Sequence, residues 1–232
     1  MQFDITNASV QYHGIPVLRD VTLSFNGVSA LILTGPTGSG KTTLLRLLYA
    51  ALQPNTGQVL IDGADTKRMR SSAIQGIRRR MGIVEQECRL VSAYNVFDNV
   101  LMPLALSGMK KSEATARCLS LLADMNISYL RNKMPRELSG GERHLVALAR
   151  SIAMEPEVLI ADEPTGTLDD GTSSRLAATL SACLDRGMGL IISTHSASLV
   201  ASFPTARLCT LNEGVLSESA TITSALPEEK PA

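Results

Sequence analysis

Gly35-Pro36-Thr37-Gly38-Ser39-Gly40-Lys41-Thr42 fits the pattern G-x-x-x-x-G-K-[ST], in which a glycine-rich turn brings backbone N–H groups close to phosphate oxygens. Its flanks suit that reading. Residues 28–33 (VSALIL) form a short apolar run that predicts a buried strand, and residues 43–51 (TLLRLLYAA), free of Pro and Gly, predict a helix. A helix starting there adds its positive dipole end to the loop. Lys41 would then reach β- and γ-phosphates, and the Thr42 hydroxyl would ligate Mg²⁺.

Working outward, 232 residues suffice for one sizeable α/β domain with an inserted subdomain. With 44% hydrophobic and 19% charged residues the chain is globular in class rather than disordered. Lys plus Arg (22) balances Asp plus Glu (22), so no global basic field argues for a nucleic-acid partner. The run Arg78-Arg79-Arg80 reads as a solvated helix end. Cys88, Cys118, Cys183 and Cys209 stand far apart with no C-x-x-C pair, which suits a reducing cytosol better than a disulfide framework or a zinc site. The opening MQFDIT lacks a basic start and an apolar core, so no signal peptide is expected. Residues 187–206 carry no Asp, Glu, Lys or Arg, but their serines, Thr194, His195 and Pro204 make them a poor membrane span. A soluble chain is expected, with any membrane role exercised through a partner.

Along the chain, residues 2–25 predict two strands around a turn at His13-Gly14-Ile15-Pro16, with Tyr12 at the end of the first. Further strands are expected at 58–62, 81–85, 158–161 and 189–193, and a terminal hairpin at 207–218. Between about 88 and 150 the pattern is helical: Cys118, Leu121, Leu122 and Met125 share a face, as do Leu145, Leu148, Ala149 and Ile152. A helix over about 172–185 turns Leu176, Leu180, Cys183 and Leu184 inward, and the polar tail 219–232 is expected to be disordered.

Several predicted strands end where a polar group begins: the glycine loop after 33, Gln86 after 85, Asp162-Glu163 after 161 and His195 after 194. Open α/β sheets bind ligands at the carboxyl ends of their strands, so these groups can converge. Asp162 has the position to hold Mg²⁺ through its water shell, and Glu163 to orient or deprotonate an attacking water. Ser139, Gly140 and Gly141 stand before a helix and offer either a second anion site or an ordinary N-cap.

Taken together, GPTGSGKTT (35–43), Gln86, LSGGE (138–142), VLIADE (158–163), LDD (168–170) and His195 resemble, in order, the Walker A, Q-loop, signature, Walker B, D-loop and H-loop of an ABC-type ATPase. The likeness spans roughly residues 3–218 and implies a RecA-like P-loop core, an N-terminal antiparallel β portion and the helical insertion at about 88–150, within one domain over 1–218. It further implies ATP and Mg²⁺ as cofactors. Gly35, Pro36, Thr37, Gly38, Ser39, Gly40, Lys41, Thr42 and Thr43 would hold the phosphates, and Tyr12 would stack on adenine. Thr42, Gln86 and Asp162 would serve the metal, Glu163 would be the catalytic carboxylate, and His195 would contact the γ-phosphate. In a head-to-tail homodimer, Leu138, Ser139, Gly140, Gly141 and Glu142 would close on the partner's ATP, with Asp169 near the seam.

Within that family the stretch EPTGTLD (163–169) is similar to the small cassettes of the FtsE, LolD and MacB group. IRRRMGIVEQ (77–86) followed by NVFDNVLMPL (95–104) looks most like the FtsE cell-division cassettes, implying an FtsX-like integral membrane subunit and a peripheral place on the inner face of the plasma membrane. The segment 90–100, with Tyr94 and Phe97, is expected to form the groove that receives that subunit. A lipoprotein-releasing or small-molecule export cassette is the alternative. A soluble ABC protein acting on DNA or the ribosome would carry twin cassettes or coiled-coil insertions, which this chain lacks. The sequence departs from the family pattern at Arg143-His144-Leu145, at Ser196 and at Glu85.

Overall fold

The computed structural model describes residues 1–166 and 168–219. The chain opens with β1 (Gln2–Tyr12) and β2 (Ile15–Asn26), an antiparallel pair. Only His13 and Gly14 make the turn, both at positive φ (51° and 81°), the backbone that two-residue hairpins favour. Ile15 and Pro16, expected in the turn, instead open β2, where an edge strand tolerates a proline without an N–H. With β4 (Thr56–Ile61) and the short β5 (Ala64–Asp65) they form an antiparallel sheet of order β2-β1-β4-β5.

The second sheet is built from β3 (Ala30–Thr34), β6 (Met81–Val84), β7 (Val158–Asp162), β8 (Gly189–Ser193), β9 (Arg207–Asn212) and β10 (Val215–Ser219) in the order β10-β9-β3-β8-β7-β6. All neighbours are parallel except β10, which returns as a hairpin on β9. Strands buried on both faces read as near-continuous apolar runs, and β7 and β8 are buried throughout, with polar Asp162 and Ser193 as their last residues. Leu31 and Leu33 pack toward the first sheet, and Ile32 toward the helices on the other side.

Between the two sheets lies α1 (Lys41–Leu48), whose Leu44, Leu45, Leu47 and Leu48 are buried. The helix is shorter than the predicted 43–51, because Ala50 turns left-handed (φ 53°). The other face carries α3 (Val96–Leu106), α4 (Lys111–Asp124), α5 (Gly140–Ile152), α6 (Asp170–Asp185) and α7 (Ala197–Ala201), around Val100, Leu104, Cys118, Leu122, Leu145, Ala149, Leu176 and Leu180. The helix α2 (Ser71–Arg78), β5 and α7 were not foreseen; each is too short to show a periodic pattern.

Arg78-Arg79-Arg80 does close α2, and Arg79 and Arg80 are exposed as a solvated helix end should be, while Arg78 is half-buried. Arg78 donates to the carbonyls of Tyr49 (2.9 Å) and Ala50 (2.7 Å), beyond the end of α1. Arg80 bridges Glu157 (2.6 Å) and Asp62 (2.7 Å). Both arginines therefore tie distant segments together. The four cysteines are buried and unpaired, and burial pushes the Cys88, Cys118 and Cys209 thiols up to about 11. Among the described residues no helix is long and apolar enough to cross a membrane; residues 187–206 hold β8 and α7. Ser219 closes β10, and the rest of the tail expected to be disordered, 220–232, lies outside the described residues.

Candidate active site

β3 lies inside the parallel sheet, so the loop after it opens at the carboxyl edge beside the ends of β7 and β8. Gly35 has φ 140°, and a Cβ there would stand 2.1 Å from the Leu211 carbonyl oxygen, so the loop cannot pass β9 with any larger residue. Gly40, at φ 104°, precedes α1 and offers no side-chain cap. The first N–H groups of the helix are thus left to whatever anion the loop holds. Ser39 is 5% exposed, and its Oγ has no hydrogen-bond partner. A buried orphan hydroxyl inside such a loop fits a phosphate group.

Lys41 is also buried. Its Nζ donates to the carbonyls of Gly35 (2.8 Å) and Pro36 (3.1 Å) and stands 3.6 Å from Glu163 Oε1. The next residue, Thr42, donates its hydroxyl to Asp162 Oδ2 at 2.7 Å, across 120 positions of chain. A threonine hydroxyl and a carboxylate are hard oxygen donors, and the pair fits Mg²⁺. Glu163 follows in a left-handed turn (φ 47°) with its N–H on the Ser193 carbonyl at 3.0 Å. Its Oε2 meets His195 Nδ1 at 2.9 Å and accepts from the His195 backbone N–H at 3.3 Å. Gln86 is exposed and shares a cleft with Thr42, Arg46, Tyr49, Glu85 and Asp162. Tyr12 ends β1 with 37% of its surface exposed, beside Arg46 of α1.

The remaining predicted residues lie elsewhere. Ser139 caps α5: its Oγ accepts from the Glu142 N–H (3.1 Å) while Glu142 returns to the Ser139 N–H (2.7 Å). That reciprocal cap holds the Glu142 carboxyl below the usual range. Asp169 caps α6, accepting from the Thr172 N–H (2.9 Å) and hydroxyl (2.7 Å). Thr172 also explains Gly141, where a Cβ would come within 2.9 Å of its methyl. Segment 138–142 and Asp169 therefore meet each other through Thr172. Among the described residues no hydrogen bond or ion pair joins them to 35–43. Two groups that sequence reasoning passed over stand out. Ser193 bonds both Asp162 and Glu163, and its signal was a hydroxyl closing an otherwise apolar strand. Asn99, fully buried, bonds the backbone of Val91, Tyr94 and Asn95.

The family model described as ABC transporter matches residues 18–166, well over half the chain. The chain belongs to the ABC transporter family, as an ATP-binding cassette. It is accordingly an ATPase whose cofactors are ATP and Mg²⁺. The lipoprotein-releasing system ATP-binding protein LolD of Hyphomonas neptunium is 37% identical to this cassette over 87% of this chain and 89% of its own. The cell division ATP-binding protein FtsE of Bacillus subtilis is 32% identical over 88% and 89%. A methionine import protein, MetN of Clostridioides difficile, is 34% identical over 84% of this chain and 61% of its own. A solved dimeric cassette in a post-hydrolysis state, bound to ADP and Pi, superposes with TM-score 0.87 at 28% identity, covering 94% of this chain and 97% of that one. The RecA-like α/β fold and the FtsE/LolD group are thereby supported, and the similar identities favour no single member of the group.

Proposed function

We propose that this cassette is the ATP-hydrolysing subunit of a membrane complex, and that two copies close head to tail around two ATP molecules. In this reading residues 35–43 wrap the phosphates, Lys41 releases the loop carbonyls to meet the β- and γ-oxygens, and Tyr12 stacks on adenine. Thr42, Asp162 and Gln86 hold Mg²⁺, which when bound neutralises charge on the β- and γ-phosphates. Glu163 orients and deprotonates the attacking water, and His195 steadies Glu163 and reaches the γ-phosphate. Segment 138–142 and Asp169 serve the partner's nucleotide, which is why they need not approach their own P-loop.

The output we favour is an FtsX-like membrane subunit at the plasma membrane, docked at the Tyr94 end of the 90–100 segment, because 77–86 and 95–104 resemble FtsE cassettes. The LolD relative, at 37% identity, supports the second reading, a lipoprotein-releasing or export complex. A neighbouring gene for a four-span protein with an FtsX-like external loop would favour the first.

The observation that carries the ATPase roles is the grip on Glu163, held by His195 and Lys41 one residue beyond Asp162. Glu163→Gln should keep ATP binding, slow turnover by at least ~100-fold, the scale of losing a general base, and accumulate an ATP-bound dimer on size exclusion. Near wild-type hydrolysis by the variant would remove Glu163 from this role.

A further inference from the structure

Ser193 is the last residue of β8 and is fully buried. The parallel register of β7 and β8 sets it opposite Asp162. Its hydroxyl donates to Asp162 Oδ1 and accepts from the Glu163 N–H at 3.1 Å. A serine hydroxyl has one proton to give, so this pattern runs one way, from the Glu163 N–H through Ser193 to the Asp162 carboxylate. The other Asp162 oxygen is taken by Thr42. Each oxygen of this carboxylate thus rests on one hydroxyl.

The two hydroxyls are not equivalent. Thr42 belongs to the loop that holds nucleotide, and its oxygen is needed by the metal when nucleotide binds. Ser193 sits in a packed strand, beside Leu33 at the end of β3 but not within the loop itself, and among the described residues its hydroxyl has no further hydrogen-bond partner. Were Thr42 to serve the metal, Ser193 would remain as the anchor on Asp162. The same residue pins the left-handed turn at Glu163, a backbone state unfavourable for a residue with a Cβ, through both its hydroxyl and its carbonyl.

We infer that Ser193 is a positioning residue: it orients Asp162 for Mg²⁺ and fixes the backbone from which Glu163 projects. This rests on the reading of Asp162 as a metal-holding residue. Loss of an outer partner that orients a ligating carboxylate typically costs roughly 10–100-fold in metal affinity or activity.

The test is calorimetric titration of the full chain with ADP, in Mg²⁺ and in EDTA, for wild type, Ser193→Ala, Ser193→Thr and Asp162→Asn. Mg²⁺ should tighten ADP binding to the wild type, and Ser193→Ala should lose about tenfold of that gain, the scale of an outer-partner loss. Its affinity in EDTA should stay within about twofold of wild type, since the phosphate cradle does not include this residue. Ser193→Thr, which keeps the hydroxyl and suits a strand, should recover most of the gain. An undiminished Mg²⁺ gain in Ser193→Ala, with the gain lost in Asp162→Asn, would overturn the inference. Equal losses in Mg²⁺ and EDTA would overturn it too, as general loosening of the site. A gain retained by Asp162→Asn would remove the metal reading of Asp162, and this inference with it.

Discussion

Lys41 is placed in the glycine loop with two loop carbonyls and a carboxylate around its ammonium group. Its side chain and that of Glu163 are 8% and 11% exposed, so either charge left alone would bear an uncompensated desolvation cost. The pair therefore holds the site in shape, and an incoming triphosphate offers Lys41 a stronger set of acceptors than two carbonyls. Tyr12 is a different kind of residue, since more than a third of its surface is open to solvent at the end of β1. Removing it should hardly disturb the core. Tyr12→Ala should weaken ATP binding by roughly 1–2 kcal/mol, the scale of one aromatic stacking contact. Calorimetry that finds equal affinity for both proteins would return Tyr12 to simple packing against Arg46.

At the scale of elements, the ends of helices explain most of the polar residues. Gly40 leaves α1 open to an anion, while Arg78 satisfies the carbonyls of Tyr49 and Ala50 just past its far end. Asn95 caps α3 by accepting from the Asp98 N–H at 2.8 Å. One turn later Asn99 bonds back to Val91, Tyr94 and Asn95, folding 91–95 onto the helix. This lock separates the two aromatics expected to face a partner: Phe97 packs against the core, and Tyr94 stays 43% exposed. The docking surface expected from both rings thus narrows to one. Tyr94→Ser should spare ATP binding and the melting temperature yet abolish co-purification with the membrane subunit, because the Asn99 lock uses only the Tyr94 backbone. Survival of the complex would move the docking surface elsewhere.

At the scale of the whole molecule, no hydrogen bond or ion pair among the described residues joins the P-loop to the 138–142 segment. In the proposed head-to-tail arrangement their joint use would call on a second copy. Gly140 offers a clean probe, since a Cβ there meets nothing nearer than Arg143 at 4.0 Å. Gly140→Glu also adds an acid to a helix N-terminus, where the dipole favours it, so the monomer should stay folded and bind ATP. The carboxylate would repel the partner's phosphates, and ATPase activity should fall steeply. Mixed with Lys41→Ala, it should regain about a quarter of wild-type activity, because half the dimers are mixed and each of those carries one intact composite site. Confirmed mixed dimers without any recovery would count against the head-to-tail arrangement.

What the sequence by itself determined follows from spacing along the chain. Residues 35–42 are a contiguous loop, so their chemistry is readable without knowing what surrounds them. Apolar runs ending in Gln86, Asp162-Glu163 and His195 likewise announced strands with polar ends, alternation in the second strand announced the first hairpin, and the turn residues Asn212-Glu213-Gly214 announced the one at 207–218. Contacts between segments were another matter. That Thr42 meets Asp162, and Asp162 meets Ser193, depends on parallel strand order and register, and a slip of one residue would turn every side chain to the opposite face. Three adjacent arginines looked alike until α1 and residues 62 and 157 supplied acceptors for two of them. Tyr94 and Phe97 were equivalent as letters, and only packing decided that Phe97 lies against the core while Tyr94 faces water. Local chemistry is written in short stretches, whereas partners are chosen by burial, which brings remote stretches together.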